Sequence, residues 1–242
     1  MTKKKLTLRG IHKTIAGKKI LSNINFSIEN NEIVGLLGPN GAGKTTAFYI
    51  AAGLLFPDQG KVSMDGQEIT NFLMHQRSRI GLSYLPQEPS IFQDLTVFDN
   101  LDGIAEITTN NQSERDYVVE MIVAKFDLHK ILDKKGRMLS GGQRRKVEIA
   151  RTLVSNPRVI LLDEPFAGID PIAVEEIKSL LRKVVSNDIS ILVTDHNVRE
   201  TLSLCDRAII MNEGEIIAEG TSNDLIEDAL VRKTYFGNMY SS

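Results

Sequence analysis

The sequence lacks the cysteine pairs typical of proteins in oxidising compartments and the long apolar run typical of a membrane-spanning helix. Its 242 residues include a single cysteine, Cys205, so no internal disulfide can form. No apolar run approaches the roughly 18 residues that suggest a spanning helix. The lysines at positions 3–5 are not followed by the apolar core of a targeting signal, so we expect a solvated start to the chain. These absences predict a cytoplasmic protein that reaches a membrane only through a partner.

An excess of positive charge is also missing. Lysine and arginine total 29 against 31 aspartate and glutamate residues, which gives a formal net charge of −2. A protein held on nucleic acid mainly by phosphate contacts would carry a basic surplus, so we expect no nucleic-acid partner. The composition, 42% hydrophobic and 25% charged, is that of a folded domain and excludes disordered, collagen-like and coiled-coil chains.

Three short apolar runs have the composition of strands buried on both faces. They cover residues 33–37, 159–162 and 189–193, and helix-length segments separate them. This alternation predicts an α/β fold with a mainly parallel core sheet and helices on both sides.

Two turn-rich stretches predict antiparallel hairpins. Residues 6–11 and 20–28 alternate partly in polarity and flank a turn at 16–19, which predicts an N-terminal antiparallel β-subdomain. Residues 207–218 predict a second hairpin, with its turn at 212–214.

A helical subdomain is expected where the strand signals fade, between residues 88 and 138. Within it, residues 114–126 have helical spacing, with an apolar stripe formed by Tyr117, Val118, Met121 and Ile122. We interpret the chain as one domain with three parts: an α/β core and β-subdomain at 1–87 and 139–223, the inserted helical subdomain at 88–138, and a C-terminal tail at 224–242.

A phosphate-binding loop follows the first buried strand. It matches G-x-x-x-x-G-K-[ST] with Gly38, Pro39, Asn40, Gly41, Ala42, Gly43, Lys44 and Thr45. Small residues before a helix let backbone N–H groups converge on phosphate oxygens. We expect Lys44 to reach the β- and γ-phosphates, Thr45 to place its hydroxyl on Mg²⁺, and Thr46 to contact the next phosphate. A turn that only bends the chain is the alternative, which the flanking strand and helix disfavour.

Two acids end the second buried strand. Asp163 is placed to hold Mg²⁺, and Glu164 is placed to accept a proton from attacking water. Because ligands of open α/β sheets bind at the carboxyl ends of strands, this position fits catalysis. An apolar strand ending in acids is common, so the inference depends on its pairing with the phosphate loop.

A second anion cradle is predicted at the start of another helix. It consists of Ser140, Gly141, Gly142 and Gln143, where free N–H groups and the helix dipole favour phosphate. Alone, the serine would be an ordinary helix cap. A second cradle on one chain suggests that two chains share each nucleotide.

Six motifs, which follow one another along the chain in the family's order, resemble the ATP-binding cassette family over nearly the whole chain. Besides the loop, the cradle and the acidic pair, they include Gln87, Asp170 and His196. The resemblance implies ATP and Mg²⁺ as cofactors, with ATP hydrolysed by a head-to-tail homodimer that shares two ATP sites. It makes Gln87 a catalytic residue and metal ligand, places Asp170 among the nucleotide-binding residues, and puts His196 on the γ-phosphate. A plain surface-loop histidine is the alternative for His196.

One position departs from that family pattern. Members usually carry an aromatic residue in the first hairpin to stack on adenine, and Ile15 occupies the matching place. Ile15 offers an apolar contact without the roughly 0.5–1.5 kcal/mol of aromatic pairing. We therefore expect weaker base selectivity.

Several segments are similar to the ATPase subunits of lipopolysaccharide exporters. They are residues 84–92, 95–101, 166–172 and 195–202. The ATPases of branched-chain amino acid importers share much of the pattern and are the alternative, but the combination of residues 90–92 with residues 197–202 favours lipopolysaccharide export. Cassette ATPases of DNA repair or translation are a third class. They usually carry a coiled-coil insert or two cassettes, neither of which the sequence contains.

The resemblance to transporters implies transmembrane permease subunits that dock near Phe92 and the Q-loop, the segment around Gln87. Lipopolysaccharide would then be engaged only indirectly. The alternative for Phe92 is a place in the core of the helical subdomain. Gln93 and Asp94 stand where exporter subunits tend to have basic residues. In the tail, Tyr235, Phe236 and Tyr240 would cover either a partner or the domain itself.

Overall fold

Two β-sheets and a set of helices form the framework of the protein. The computed structural model describes residues 4–185 and 188–236. In these ranges the strands are β1 (Lys4–Ile15), β2 (Lys18–Glu29), β3 (Ile33–Leu37), β4 (Gln59–Met64), β5 (Gln67–Glu68), β6 (Leu82–Leu85), β7 (Val159–Asp163), β8 (Ser190–Thr194), β9 (Arg207–Asn212) and β10 (Glu215–Gly220). The α-helices are α1 (Lys44–Ala52), α2 (Met74–Arg79), α3 (Val97–Thr108), α4 (Gln112–Lys125), α5 (Gly141–Val154), α6 (Pro171–Val185), α7 (Val198–Leu204), α8 (Ser222–Glu227) and α9 (Ala229–Val231).

The larger sheet has the strand order β10-β9-β3-β8-β7-β6. Its strands run parallel except at the β9–β10 edge. Every residue of β3, β7 and β8 is buried, because apolar side chains cover both faces of the sheet. The expected α/β fold with a mainly parallel sheet is confirmed.

The smaller sheet is antiparallel, in the order β2-β1-β4-β5. The β1–β2 turn places Ala16 and Gly17 at φ 49° and 77°, and the β9–β10 turn places Glu213 and Gly214 at 47° and 80°. Two consecutive left-handed residues give a turn whose twist matches the strands on either side. Both predicted hairpins are therefore confirmed.

Helices α3, α4 and α5 pack together beside the larger sheet. The predicted stripe on α4 is partly wrong, because Tyr117 and Met121 are 65% and 51% exposed. The fully buried positions are instead Val119 and Val123, four residues apart on one helix face. The buried face is thus rotated from the predicted stripe, of which only the valine and isoleucine pack against the core.

The C-terminal helices cover the β9 side of the larger sheet. Leu225, Val231 and Phe236 are buried in one cluster with residues of β3 and β9. Phe236 therefore docks on its own domain, while Tyr240 lies outside the described residues. Among the helices of residues 4–185 and 188–236, none combines the length and apolar character needed to cross a membrane.

Strand order decides where the motifs meet. Because β8 lies between β3 and β7, the loops that follow these three strands leave the same edge of the sheet side by side. The phosphate loop follows β3, the acidic pair ends β7, and His196 follows β8. The carboxyl edge of a parallel sheet is where such folds bind ligands.

Candidate active site

Glycines give the phosphate loop its path. Gly38 has φ 148°, and a Cβ there would lie 2.1 Å from the carbonyl oxygen of Met211. Gly43 caps the start of α1 at φ 97°, and a Cβ there would lie 2.7 Å from a Leu21 methyl. The chain can bend into α1 this tightly only where side chains are absent.

Lys44 is buried beneath that loop. Its Nζ donates hydrogen bonds to the carbonyl oxygens of Gly38 at 2.7 Å and Pro39 at 2.9 Å. Burial lowers the pKa of Lys44, and the carboxylate of Glu164 partly opposes that shift. The loop therefore holds an ammonium group at the start of α1, where anions are favoured by the helix dipole.

Asp163 ends β7 with its carboxylate inside the site. The hydroxyl of Tyr84 donates to Asp163 Oδ2 at 3.2 Å, and Arg145 donates to the Asp163 carbonyl oxygen at 3.0 Å. Burial is the main reason that the pKa of Asp163 is raised. A desolvated carboxylate is well suited to hold a metal cation.

Glu164 faces His196 at the carboxyl ends of the neighbouring strands β7 and β8. Glu164 Oε1 lies 2.7 Å from His196 Nε2, and the Glu164 amide donates to the Thr194 carbonyl oxygen at 2.7 Å. The residue adopts φ 46°, an uncommon value for a side chain of this size. Burial raises the pKa of Glu164, with the neighbouring acids adding and His196 opposing. A raised pKa brings this carboxyl closer to the range of an effective general base.

Asp195 organises these loops and was not selected from the sequence. Its Oδ2 accepts from the Phe166 amide at 2.9 Å and its Oδ1 from the Asn197 amide at 2.8 Å. The buried carboxylate thereby fastens the loop after β7 to the loop after β8. An acid directly after the buried run of β8 was the available signal, since the same pattern had pointed to Asp163.

A cavity of about 570 Å³ opens between these elements. It is lined by Lys18, Ile20, Asn40, Gly41, Ala42, Gly43, Lys44, Thr45, Thr46, Asp163, Glu164, Thr194, Asp195 and His196. Backbone amides, an ammonium, hydroxyls and carboxylates dominate this lining. Such a wall suits a polyphosphate with a hard cation better than an apolar ligand.

The oxygen donors in the cavity fit Mg²⁺ held jointly with phosphates. The Thr45 hydroxyl and the Asp163 carboxylate line the same cavity. No group of three or more His, Cys, Asp or Glu side chains within residues 4–185 and 188–236 is arranged to hold a metal. Mg²⁺ is commonly bound by one or two protein oxygens plus substrate phosphates and water, so the donor set agrees with this mode.

The second cradle lies apart from the first. Ser140 caps α5 and accepts from the Gln143 amide at 3.3 Å, while the Gln143 side chain accepts from the Ser140 amide at 3.3 Å. Ser140, Gly142, Gln143 and Asp170 line a separate cavity of about 370 Å³ that shares no lining residue with the first. A Cβ on Gly142 would lie 2.5 Å from the Ala173 Cβ, so α6 requires glycine there. Gly141 opens α5 beside them.

Five predicted site residues line neither cavity: Gly38, Pro39 and Gly141, which belong to the two cradles, and Gln87 and Ile15, which do not. Gln87 is exposed in the segment after β6, and Ile15 is 45% exposed at the end of β1. Lys18 and Ile20 line that side of the first cavity instead. The predicted roles of Gln87 and Ile15 therefore stay predictions.

Helix α5 holds the Q-loop segment from behind. Arg145 donates to the Pro86 carbonyl oxygen at 3.0 Å, and Glu148 accepts from the Ser90 amide at 2.8 Å. Arg151 donates to the Ser90 carbonyl oxygen at 2.7 Å. In the sequence, Arg145, Glu148 and Arg151 resemble the charged residues of an ordinary solvated helix face. Their partners therefore could not be predicted from the neighbouring residues.

Known proteins resemble this chain in sequence and in fold. The family model described as ABC transporter matches residues 21–167, more than half of the chain. The chain belongs to this family. Relatives include the lipopolysaccharide export system ATP-binding proteins LptB of Haemophilus influenzae (46% identical, covering 97% of this chain and 98% of that protein), Acidithiobacillus ferridurans (44%, 97% and 98%) and Escherichia coli K12 (43%, 96% and 97%).

Solved cassette structures confirm the ABC fold. An ATP-binding cassette of an ABC transporter in its ADP conformation superposes with a TM-score of 0.86 at 29% identity, covering 97% of this chain and 99% of that one. A dimeric cassette in a post-hydrolysis state, bound to ADP and Pi, gives 0.76 at 26% identity, with 90% and 98% covered. As a member of this family, the chain binds and hydrolyses ATP.

Glu164→Gln tests the general base at this site. The amide cannot accept the proton, so we expect turnover to fall about 10²–10⁴-fold while ATP still binds, since general-base loss costs that much. Steady-state hydrolysis and equilibrium ATP binding measure the two effects. Near-normal turnover in the variant would contradict the assignment.

Proposed function

We propose that this ABC ATPase powers a lipopolysaccharide exporter. The observation that carries the proposal is 43–46% identity over 96–97% of the chain to three lipopolysaccharide export ATP-binding proteins. The ATPase would work at the cytoplasmic face of the inner membrane as a peripheral subunit. Lipopolysaccharide would contact the permease, not this chain, and no nucleic acid takes part.

Within each ATP site the residues divide the work. Lys44 and the amides of the phosphate loop bind the β- and γ-phosphates, and Thr46 contacts the next phosphate. Thr45 and Asp163 would hold Mg²⁺ together with Gln87. When bound, Mg²⁺ neutralises the phosphate charge.

Hydrolysis needs one proton to leave the attacking water. Glu164 accepts that proton. His196, whose Nε2 lies 2.7 Å from Glu164 Oε1, contacts the γ-phosphate. The hydrogen bond that the Phe166 amide donates to Asp195 Oδ2 fixes the loop that follows the base. The rigid supports leave the carboxylate little freedom to turn away from its target.

The working unit is a head-to-tail homodimer. Its support is the separation of the two phosphate cradles on one chain, together with the dimeric relative that holds ADP and Pi. Ser140, Gly141, Gly142 and Gln143 of one subunit then complete the site that begins at Lys44 of the other. Asp170, which lines the same cavity as Ser140, joins that shared surface.

A mixture of Ser140→Arg and Lys44→Ala chains tests this sharing. Their heterodimer contains one intact composite site and one doubly damaged site, so we expect the mixture to recover part of the activity that each variant lacks. Differently tagged chains report how much heterodimer has formed. Loss of ATP binding by the isolated Ser140→Arg monomer would show that Ser140 acts in its own subunit.

Permease docking is proposed at an apolar groove beside the Q-loop. We define the docking groove by Met74, Tyr84, Ile104, Ile107 and Arg151, which line a cavity of about 280 Å³ between α2, β6, α3 and α5. Ile107 is among the most exposed apolar side chains of the described chain. An amphipathic helix inserted here would bury that side chain.

Phe92 stands beside the docking groove with 57% of its surface exposed. The interpretation that it fills the subdomain core is therefore wrong. Its ring lies 5.3 Å from the Arg151 guanidinium carbon, and its backbone is held by Asn100 at 2.8 and 3.0 Å. These contacts present the ring to a partner at low entropic cost. Asp94 pairs with Arg137 at 2.6 Å, so its charge is partly satisfied within the chain.

Phe92→Ala should weaken assembly with the permease about thirtyfold, because truncating an aromatic anchor often costs about 2 kcal/mol. Its melting temperature should change little, since most of the ring is exposed. Co-purification from membranes measures the loss, and Tyr117→Ala, another exposed aromatic outside the groove, is the matched control. Unchanged co-purification would remove Phe92 from the interface.

The transported substrate is tested with the native complex reconstituted in vesicles. We expect ATP hydrolysis to rise when lipopolysaccharide is added and not when leucine is added, with Glu164→Gln complex as the background control. Stimulation by leucine alone would instead support the importer function. Mass spectrometry of the co-purified permease identifies the partner in the same preparation.

A further inference from the structure

Arg77 is a fully buried cation that the ATP site does not use. All four hydrogen bonds of its guanidinium within the described chain go to backbone carbonyl oxygens, and no aspartate or glutamate of residues 4–185 and 188–236 pairs with it. Burial lowers the pKa of Arg77 to about 10, so the side chain stays protonated at neutral pH. A buried charge is costly unless its surroundings compensate it, so its bonding partners need an explanation.

Two of those bonds cap helix α1. Arg77 Nη1 donates to the carbonyl oxygens of Ile50 and Ala51, each at 2.7 Å. Carbonyls in the last turn lack helical partners and form the negative end of the helix dipole, which compensates a cation. The contact is close, because a Cβ on Gly53 would lie 2.7 Å from Arg77 Nε.

The other bonds attach the same guanidinium to the approach to α2. Arg77 Nε donates to the Phe72 carbonyl oxygen at 3.0 Å and Nη2 to that of Thr70 at 3.1 Å. Arg77 itself belongs to α2, in which Met74 and Ser78 line the docking-groove cavity. One side chain therefore joins the helix beside the groove to the helix that begins at Lys44.

We propose that Arg77 is a positioning residue that links the docking groove to the phosphate loop by holding α1 against α2. Nine residues of α1, about 13 Å at 1.5 Å per residue, separate the capped end from the end that faces phosphate. A rigid helix passes an axial shift from one end to the other. The groove half of this proposal rests on the proposed permease function, whereas the phosphate half does not.

Kinetics of the full chain test the phosphate half. Arg77→Met keeps an unbranched apolar stem but removes the charge and the four bonds, so the carboxyl end of α1 loses its link to α2. We expect KM for ATP to rise about tenfold, the factor given by about 1.4 kcal/mol, with little change in kcat. Arg77→Lys, which keeps the charge but not the fork, should lie between Arg77→Met and wild type.

Arg158→Met is the matched control. Arg158 donates to the Ile80 carbonyl oxygen just after α2 and pairs with Asp65, but within the described chain it makes no bond to α1, so its loss should leave KM unchanged. Melting temperatures show that all assays use folded protein. An unchanged KM in folded Arg77→Met would overturn the proposal. If that variant does not fold, Arg77→Lys decides: a raised KM supports the proposal and a wild-type KM overturns it.

A single fluorophore tests the link to the groove without a permease. The chain has no tryptophan, so Met74→Trp creates a unique reporter on α2. In Glu164→Gln background, ATP should shift its emission at every protein concentration, which excludes dimer formation as the source. Adding Arg77→Met should abolish the shift at saturating ATP. No shift with Arg77 present, or an equal shift without it, would overturn the link, whatever the permease proves to be.

Discussion

The parallel pairing of β8 with both β3 and β7 is the constraint on which the ATP site depends. It brings three loops to one sheet edge: the loop that holds Lys44, the turn at Glu164 and the turn at His196. Two further hydrogen bonds fix the turns: the Glu164 amide donates to the Thr194 carbonyl oxygen, and the Phe166 amide donates to Asp195 Oδ2. A register slip would separate Glu164 from the phosphate loop.

Charge balance explains why the site requires a ligand. Burial raises the pKa of Asp163, Glu164 and Asp195, three acids that line one cavity. Lys44 opposes them from the loop, but burial lowers its own pKa. A phosphate chain would supply negative charge at the loop and the proposed Mg²⁺ positive charge at the acids, so their binding would relieve both sets of desolvated groups.

Local patterns predicted much of the fold, whereas long-range contacts escaped them. The buried runs, both hairpins and the phosphate loop follow from residue order alone, because strands and turns carry their signals within a few neighbours. Arg77, Arg145 and Asp195 could not be selected this way, since the contacts that join them to distant elements reach partners 18 to 59 residues away in the chain. The stripe on α4 failed because apolar residues at Tyr117 and Met121 face outward. The roles predicted for Gln87 and Ile15 concern contacts with nucleotide and stay predictions.

Because the two phosphate cradles lie apart on one chain, we infer that each ATP site is built from two chains. A crystal structure of the Glu164→Gln protein with ATP and Mg²⁺ would test this inference directly. We expect a head-to-tail dimer with ATP between Lys44 of one subunit and Ser140 of the other. ATP held entirely by one chain, with Ser140 of both subunits turned away from nucleotide, would contradict it.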